Sequence, residues 1–233
     1  MTRRRRGVLG VALLAIASIA VAFATSGCST DPAGRSTTTT TREPIPSSPR
    51  VLVIGDSNLF ESGADVDAAL RNVGIEPTLL GVPGYGLKDL DTFWMQKVPP
   101  LLESDPDVVV VGLGTNDALE PANVLAFPAR LDQMMELVGE RPVVWLTHVE
   151  DRPAAPPPAG RAINELIRDA TERWSNLTVG DFSAVMIEDP TILRGDGLHF
   201  SPAGKRAYAG FIAQAVNDTL EACGELVEGR CPD

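Results

Sequence analysis

Two stretches of this chain run from a block of β-branched residues straight into a glycine and then into small polar residues. The first is Val51-Leu52-Val53-Ile54-Gly55-Asp56-Ser57-Asn58. The second is Asp107-Val108-Val109-Val110-Val111-Gly112-Leu113-Gly114-Thr115-Asn116-Asp117. A short unbroken apolar run ended by a turn residue is the pattern of a strand buried on both faces, as in a parallel sheet. Each run then delivers polar side chains just past a strand's C-terminal end, where open α/β sheets bind ligands. Ala64 to Leu70 has helical character, so Ser57 falls in a strand-to-helix turn, close to the unbonded N–H groups of a helix start. Taken alone, a capping role explains Asp56 or Ser57 equally well, and a turn or N-cap role explains Asn116.

The remainder alternates in the same way. Glu76 to Leu80 reads as a strand, Leu87 to Leu102 and Ala122 to Val138 as helices, and Pro142 to Thr147 as a strand. Gly160 to Trp174 is helical by pattern, Leu177 to Val179 a short strand, and a last helix runs to about Leu220. Between the first strand candidates lies Gly81-Val82-Pro83-Gly84-Tyr85-Gly86, where glycine permits positive φ and close backbone approach. Arg152 to Gly160 holds four prolines and can be neither helix nor central strand. Strands alternating with helices of this length imply a doubly wound parallel sheet with helices on both faces, without a second domain or an internal repeat.

The ends of the chain read differently. Arg3 to Arg6 form a positive segment, Gly7 to Ala24 is apolar and uncharged, and small residues precede Cys28. Residues 1–28 thus resemble a bacterial lipoprotein signal whose Cys28 is lipidated, with Thr25 standing where Leu is usual. Ordinary signal cleavage and an uncleaved membrane anchor remain open, the apolar run being at the short limit for a span. All three put the domain outside the cytoplasm, anchored on the outer face of the membrane or secreted. Residues 29–49, rich in Thr and Pro, form a disordered tether. The folded domain is expected over residues 50–222, followed by a tail, 223–233, in which Cys223 and Cys231 suit a disulfide in an exported protein. Two unpaired thiols are the other reading.

The formal net charge is -11, and residues 1–27 hold four arginines and no acid, so the remainder carries about -15. That balance argues against a nucleic-acid surface or charge-driven binding to anionic lipid. No Cys or His cluster has metal-ligand spacing. The Asn176-Leu177-Thr178 and Asn217-Asp218-Thr219 triplets fit a glycosylation pattern but fall near regular elements.

Only two histidines are present. His199 lies in the Gly/Pro-rich stretch Arg194-Gly195-Asp196-Gly197-Leu198-His199-Phe200-Ser201-Pro202, three residues after Asp196. His148, at the end of a strand, is better read as a hydrogen-bonded structural residue, though Glu150 and Asp151 follow it. A serine nucleophile needs a base to take its proton, and the base needs an acid to orient it. Ser57, His199 and Asp196 meet that requirement, and an oxyanion would find donors in the Ser57 N–H, the Gly84 N–H and the Asn116 amide.

The blocks Gly55-Asp56-Ser57-Asn58, Gly84 in its loop, Gly114-Thr115-Asn116-Asp117 and Asp196-Gly197-Leu198-His199 occur in this order. They resemble the four blocks of the SGNH (GDSL-like) hydrolase superfamily over about residues 50 to 220. Asn58 departs from the Leu or Ile usual there, at a position expected not to touch the chemistry. The resemblance implies a flavodoxin-like three-layer α/β/α sandwich with a central parallel sheet. It implies Ser57 as nucleophile, His199 as base, Asp196 as its acid, Gly84 and Asn116 as oxyanion donors, and no metal or organic cofactor. The expected activity is ester hydrolysis, with a small acyl ester of a cell-envelope glycan or glycolipid as the preferred substrate from location. An acyltransferase of the same superfamily and a non-catalytic tethered binding protein are the alternatives.

Overall fold

The computed structural model describes residues 48–150 and 159–224. Five strands form one parallel sheet: β1 (Arg50–Gly55), β2 (Glu76–Gly81), β3 (Val108–Gly112), β4 (Val143–Leu146) and β5 (Leu177–Gly180), in the order β2-β1-β3-β4-β5. Six helices connect and flank them: α1 (Ser57–Asn72), α2 (Met95–Leu102), α3 (Pro121–Val138), α4 (Ala159–Ala170), α5 (Phe182–Glu188) and α6 (Pro202–Ala222).

The apolar runs place the core on both faces of the sheet, as period-two alternation demands. Leu52, Ile54, Val109, Val111, Val143 and Trp145 belong to a core shared with Val98 of α2, Phe127 and Leu131 of α3, and Ile163 and Ile167 of α4. Val51, Val53, Val108, Val110, Val144 and Leu146 pack instead with Val66 and Leu70 of α1, Phe182 of α5 and Ile212 of α6. All of these residues are buried. The result is the three-layer α/β/α sandwich that the alternating pattern implies.

Three elements differ from the sequence reading. α1 begins at Ser57 itself, seven residues earlier than the helical stretch expected from Ala64, because Asp56 caps it by accepting from the Asn58 N–H. The helix expected over Leu87–Leu102 is broken into a 3-10 turn at Leu87–Asp89, a π turn at Leu90–Trp94 and then α2. Pro99 and Pro100 inside α2 lack the N–H groups a regular helix would use, and the indole N–H of Trp94 donates to the Gly86 carbonyl at 2.8 Å. The short α5 has no sequence signal beyond its seven residues. Pro77 is tolerated because β2 is an edge strand.

Among the described residues no helix is long and apolar enough to cross a membrane, and no group of three or more His, Cys, Asp or Glu could hold a metal. Cys223 caps the C-terminus of α6 and is disulfide-bonded; Cys231 lies outside the described residues, as do Cys28, the expected signal segment and nearly all of the expected tether.

Trp145 joins the core to the loop after β3: its ring stacks edge-on against Phe127, and its indole N–H donates to the Leu113 carbonyl at 3.1 Å. Trp145→Ala should cost about 3–5 kcal/mol of stability. Trp145→Phe, which keeps most of the volume and loses the hydrogen bond, should cost roughly 1–2 kcal/mol. Chemical denaturation of both variants checks the ranking.

Candidate active site

The site grows from the end of β1. Asp56 turns the chain into α1: its Oδ1 accepts from the Asn58 N–H at 2.9 Å and its carbonyl from the Phe60 N–H at 3.0 Å. Ser57 is therefore the first residue of a helix, where backbone N–H groups have no intrahelical acceptor and the helix dipole favours negative charge. Its hydroxyl donates to His199 Nε2 at 3.1 Å. His199 Nδ1–H in turn donates to Asp196 Oδ2 at 2.8 Å, a tautomer fixed by the carboxylate's inability to donate when ionised.

Asp196 and His199 share one tight loop between α5 and α6. The Arg194 N–H donates to the His199 carbonyl at 2.7 Å, the Gly197 N–H to the Arg194 carbonyl at 2.9 Å, and Leu193 pairs antiparallel with Phe200. Asp196 Oδ1 accepts from the Leu198 and His199 N–H groups, both at 2.9 Å. The hydrogen bond from the His199 ring, then those from the two N–H groups, hold the Asp196 carboxyl well below the usual carboxylate range. Its side chain is 46% exposed, so the charge is screened by water, and the orientation of the imidazole rests on these directional bonds.

The other two loops flank β1. Val82, Pro83, Gly84 and Tyr85 make a turn closed from the Tyr85 N–H to the Val82 carbonyl at 3.3 Å. Pro at the second position and Gly84 at the third, with φ 80°, fit a type II turn, which only glycine adopts without strain. Asn116, buried in the loop after β3, donates from Nδ2 to the Tyr85 carbonyl at 2.8 Å. The loops after β2 and β3 thus meet across the end of β1. Ser57, His199 and Asp196 lie in one hydrogen-bonded chain, and Asn116 is tied to the loop of Gly84.

Several residues of this neighbourhood carry no signal in the sequence. Asn58 is tied to the histidine loop: its Nδ2 donates to the Leu198 carbonyl, beside His199, at 3.4 Å. Arg194 donates to both oxygens of Glu61 at 2.9 and 2.8 Å, and Lys205 reaches Glu61 at 3.3 Å. These bonds, Arg194's first among them, lower the Glu61 pKa and fasten the histidine loop to α1 and α6. The partners are more than 130 residues apart for Arg194 and Glu61, and single charged residues give no pairing signal at such separation.

His148 stands apart from Ser57 in this network. It is buried, its Nε2–H donates to the Leu113 carbonyl at 2.8 Å, and its Nδ1 accepts from the Thr115 hydroxyl at 3.0 Å. Asn164 of α4 brackets its backbone, accepting from the His148 N–H and donating to the His148 carbonyl, both at 2.8 Å. Burial holds the imidazole neutral, with its pKa lowered to about 4. It braces the loop of Asn116 from the β4 side.

A family model described as the GDSL-like Lipase/Acylhydrolase family matches residues 53–207. No curated protein sequence matches the chain. Among solved structures, a lipase/acylhydrolase from Enterococcus faecalis is similar at 23% identity and TM-score 0.64, over 73% of this chain and 96% of that one. A family 3 carbohydrate esterase from Clostridium thermocellum has 18% identity and TM-score 0.59, over 75% of this chain and 98% of that one. The C-terminal catalytic domain of a Streptococcus pneumoniae peptidoglycan O-acetyltransferase, bearing a methylsulfonyl adduct, has 18% identity and TM-score 0.57, over 75% and 94%. At these identities the structural likeness carries the fold.

Because the folded-state pKa of His148 is depressed, its neutral form contributes stability that is present above the ordinary imidazole pKa. That contribution is lost as pH falls towards about 4. Unfolding free energy, compared between the unsubstituted protein and His148→Gln, should lose about 3 kcal/mol of its difference between pH 7 and pH 4. Taking the difference cancels the opposing contribution of buried Asp117, whose raised pKa favours folding at acid pH. A difference independent of pH would mean that His148 titrates normally.

Proposed function

The chain belongs to the GDSL-like lipase/acylhydrolase family of SGNH hydrolases, and from that premise we propose that it is a serine esterase working through an acyl-serine intermediate. The observation that carries this reading is the run of hydrogen bonds from the Ser57 hydroxyl through His199 to Asp196. His199 Nε2 takes the hydroxyl proton as Ser57 Oγ attacks the ester carbonyl carbon. The imidazolium is held by Asp196, and the carbonyl oxygen becomes an oxyanion facing donors at Ser57 N–H, Gly84 N–H and Asn116 Nδ2. His199 then protonates the leaving alcohol as the tetrahedral species collapses to the acyl-serine. Water, deprotonated by the same nitrogen, attacks the acyl carbon, and collapse releases the acid and restores Ser57. No step calls for a metal or an organic cofactor.

The proposed substrate is a small acyl ester on a cell-envelope glycan or glycolipid. Two of the structural neighbours, a carbohydrate esterase and a peptidoglycan O-acetyltransferase by their names, support acyl chemistry on sugars. The proposed anchor at Cys28 and the Thr/Pro-rich tether support a site held close to the outer face of a membrane. Acyl transfer to a second sugar is the other reading, favoured by the O-acetyltransferase neighbour. It shares every step up to the acyl-serine and differs in whether water or an acceptor hydroxyl completes the cycle.

Turnover of p-nitrophenyl esters from two to twelve carbons tests the proposal on the full chain and its Ser57→Ala variant. The unsubstituted protein should be fastest on the two- to four-carbon esters, and Ser57→Ala should be slower by roughly four to six orders of magnitude. A preference for long chains would replace the small-acyl reading by a lipase. Turnover that survives in Ser57→Ala would overturn the nucleophile assignment.

A further inference from the structure

The motif residue beside Asn116 has an unassigned task. Asp117 is completely buried, yet its carboxylate reaches away from its own loop to the one that follows β2. Its Oδ2 accepts from the Leu87 N–H at 2.9 Å and its Oδ1 from the Lys88 N–H at 2.6 Å. Residue 86 is glycine where this carboxylate passes: a Cβ there would overlap Asp117 Oδ2. On the loop's own side, Asp89 Oδ2 accepts from the Gly86 N–H at 2.9 Å and Trp94 donates to the Gly86 carbonyl. One residue earlier, Asn116 Nδ2 donates to the Tyr85 carbonyl. Consecutive residues of the β3 loop therefore grip Tyr85, Leu87 and Lys88, just after Gly84.

We propose that Asp117 is a positioning residue for oxyanion stabilisation, a clamp whose ionised carboxylate fixes the Gly84 loop against the Asn116 amide. This rests on the esterase reading above. Each carboxylate oxygen serves one N–H only while both are acceptors; a protonated carboxyl turns one oxygen into a donor facing an N–H. The clamp is therefore a charged device in a dry place. Lys88 from the gripped loop and Arg130 from α3 face it and favour the ionised form, as do the two N–H bonds, but burial outweighs them and raises the pKa to about 6. Asp117 must therefore lose its proton for the donors to stay aligned, so oxyanion stabilisation weakens as pH falls through about 6.

The test uses the full chain, unsubstituted and as Asp117→Asn, with p-nitrophenyl acetate turnover from pH 4 to 8 and protection factors of the Leu87 and Lys88 amides by hydrogen exchange. The ratio of kcat/KM for the unsubstituted protein to that for Asp117→Asn should shrink as pH falls through about 6. Protection of the two amides should drop through about pH 6. Asp117→Asn should lower kcat roughly 10- to 100-fold at pH 8 with KM little changed, and leave the two amides unprotected while strand amides stay protected. A ratio independent of pH, or a variant that keeps its kcat with both amides protected, overturns the proposal. Should the variant fail to fold, the pH dependence of the amide protection in the unsubstituted protein decides. An unsubstituted protein with no turnover would instead overturn the esterase reading, and the pH dependence of the two amides alone would then judge the clamp.

Discussion

The parallel pairing of β1 with β3 is the constraint on which the rest of the molecule depends. Its register runs from Val51 opposite Val108 to Gly55 opposite Gly112, so both chains leave the sheet at the same level. Ser57 follows Gly55 by two residues and Asn116 follows Gly112 by four. A slip of one residue would turn every side chain of a strand to the opposite face and mix two cores that the alternation of Val51 to Ile54 keeps separate. Burial of both faces thus fixes the register, and the register fixes which polar residues share an edge.

Sharing an edge is not enough, because a loop positioned only by its two ends has freedom measured in ångströms. Here each loop is tied to a neighbour by side-chain to backbone bonds. Asn58 and Glu61 on α1 hold the histidine loop through the Leu198 carbonyl and Arg194. Asn116 and Asp117 hold the loop of Gly84. His148 and Trp145 converge on the Leu113 carbonyl at the root of the loop that carries Asn116. Apart from the exposed Arg194–Glu61 pair these are buried or half-buried bonds whose loss would strand a donor or acceptor, and together they make the loops a single bonded layer at the end of the sheet.

The fold and the site were legible in the sequence to different depths, for physical reasons. Buried parallel strands write themselves as short unbroken apolar runs, so β1, β3 and β4 stand close to where the runs Val51–Ile54, Val108–Val111 and Pro142–Thr147 announce them. The blocks around Ser57, Gly84, Asn116 and Asp196-Gly197-Leu198-His199 are local, and their order was enough to indicate the family to which the chain belongs. The broken helix from Leu87 to Leu102 was not legible, since its 3-10 start answers to Asp117, some thirty residues on. Nor was the use of Asn58, whose partner at Leu198 is 140 residues away. A side chain that spends its hydrogen bond on a distant carbonyl leaves no periodic trace.

The exposure of Asp196 shows how such a site divides its work. A carboxylate nearly half open to water gives little Coulombic grip on an imidazole, because screening reduces the attraction between exposed charges to a small net gain. What Asp196 supplies is direction: one oxygen accepts from the ring and the other from two backbone N–H groups, two and three residues along the same loop. The Asp196 carboxylate and the His199 imidazole therefore move as one piece, and the remaining freedom is that of the whole loop relative to Ser57. That freedom is removed by Arg194 on Glu61 and by Asn58 on Leu198, both anchored in the helix that Ser57 begins. Ser57 and the contacts that hold the His199 loop thus lie within about one turn of α1, so a shift of that helix carries the hydroxyl and the imidazole together.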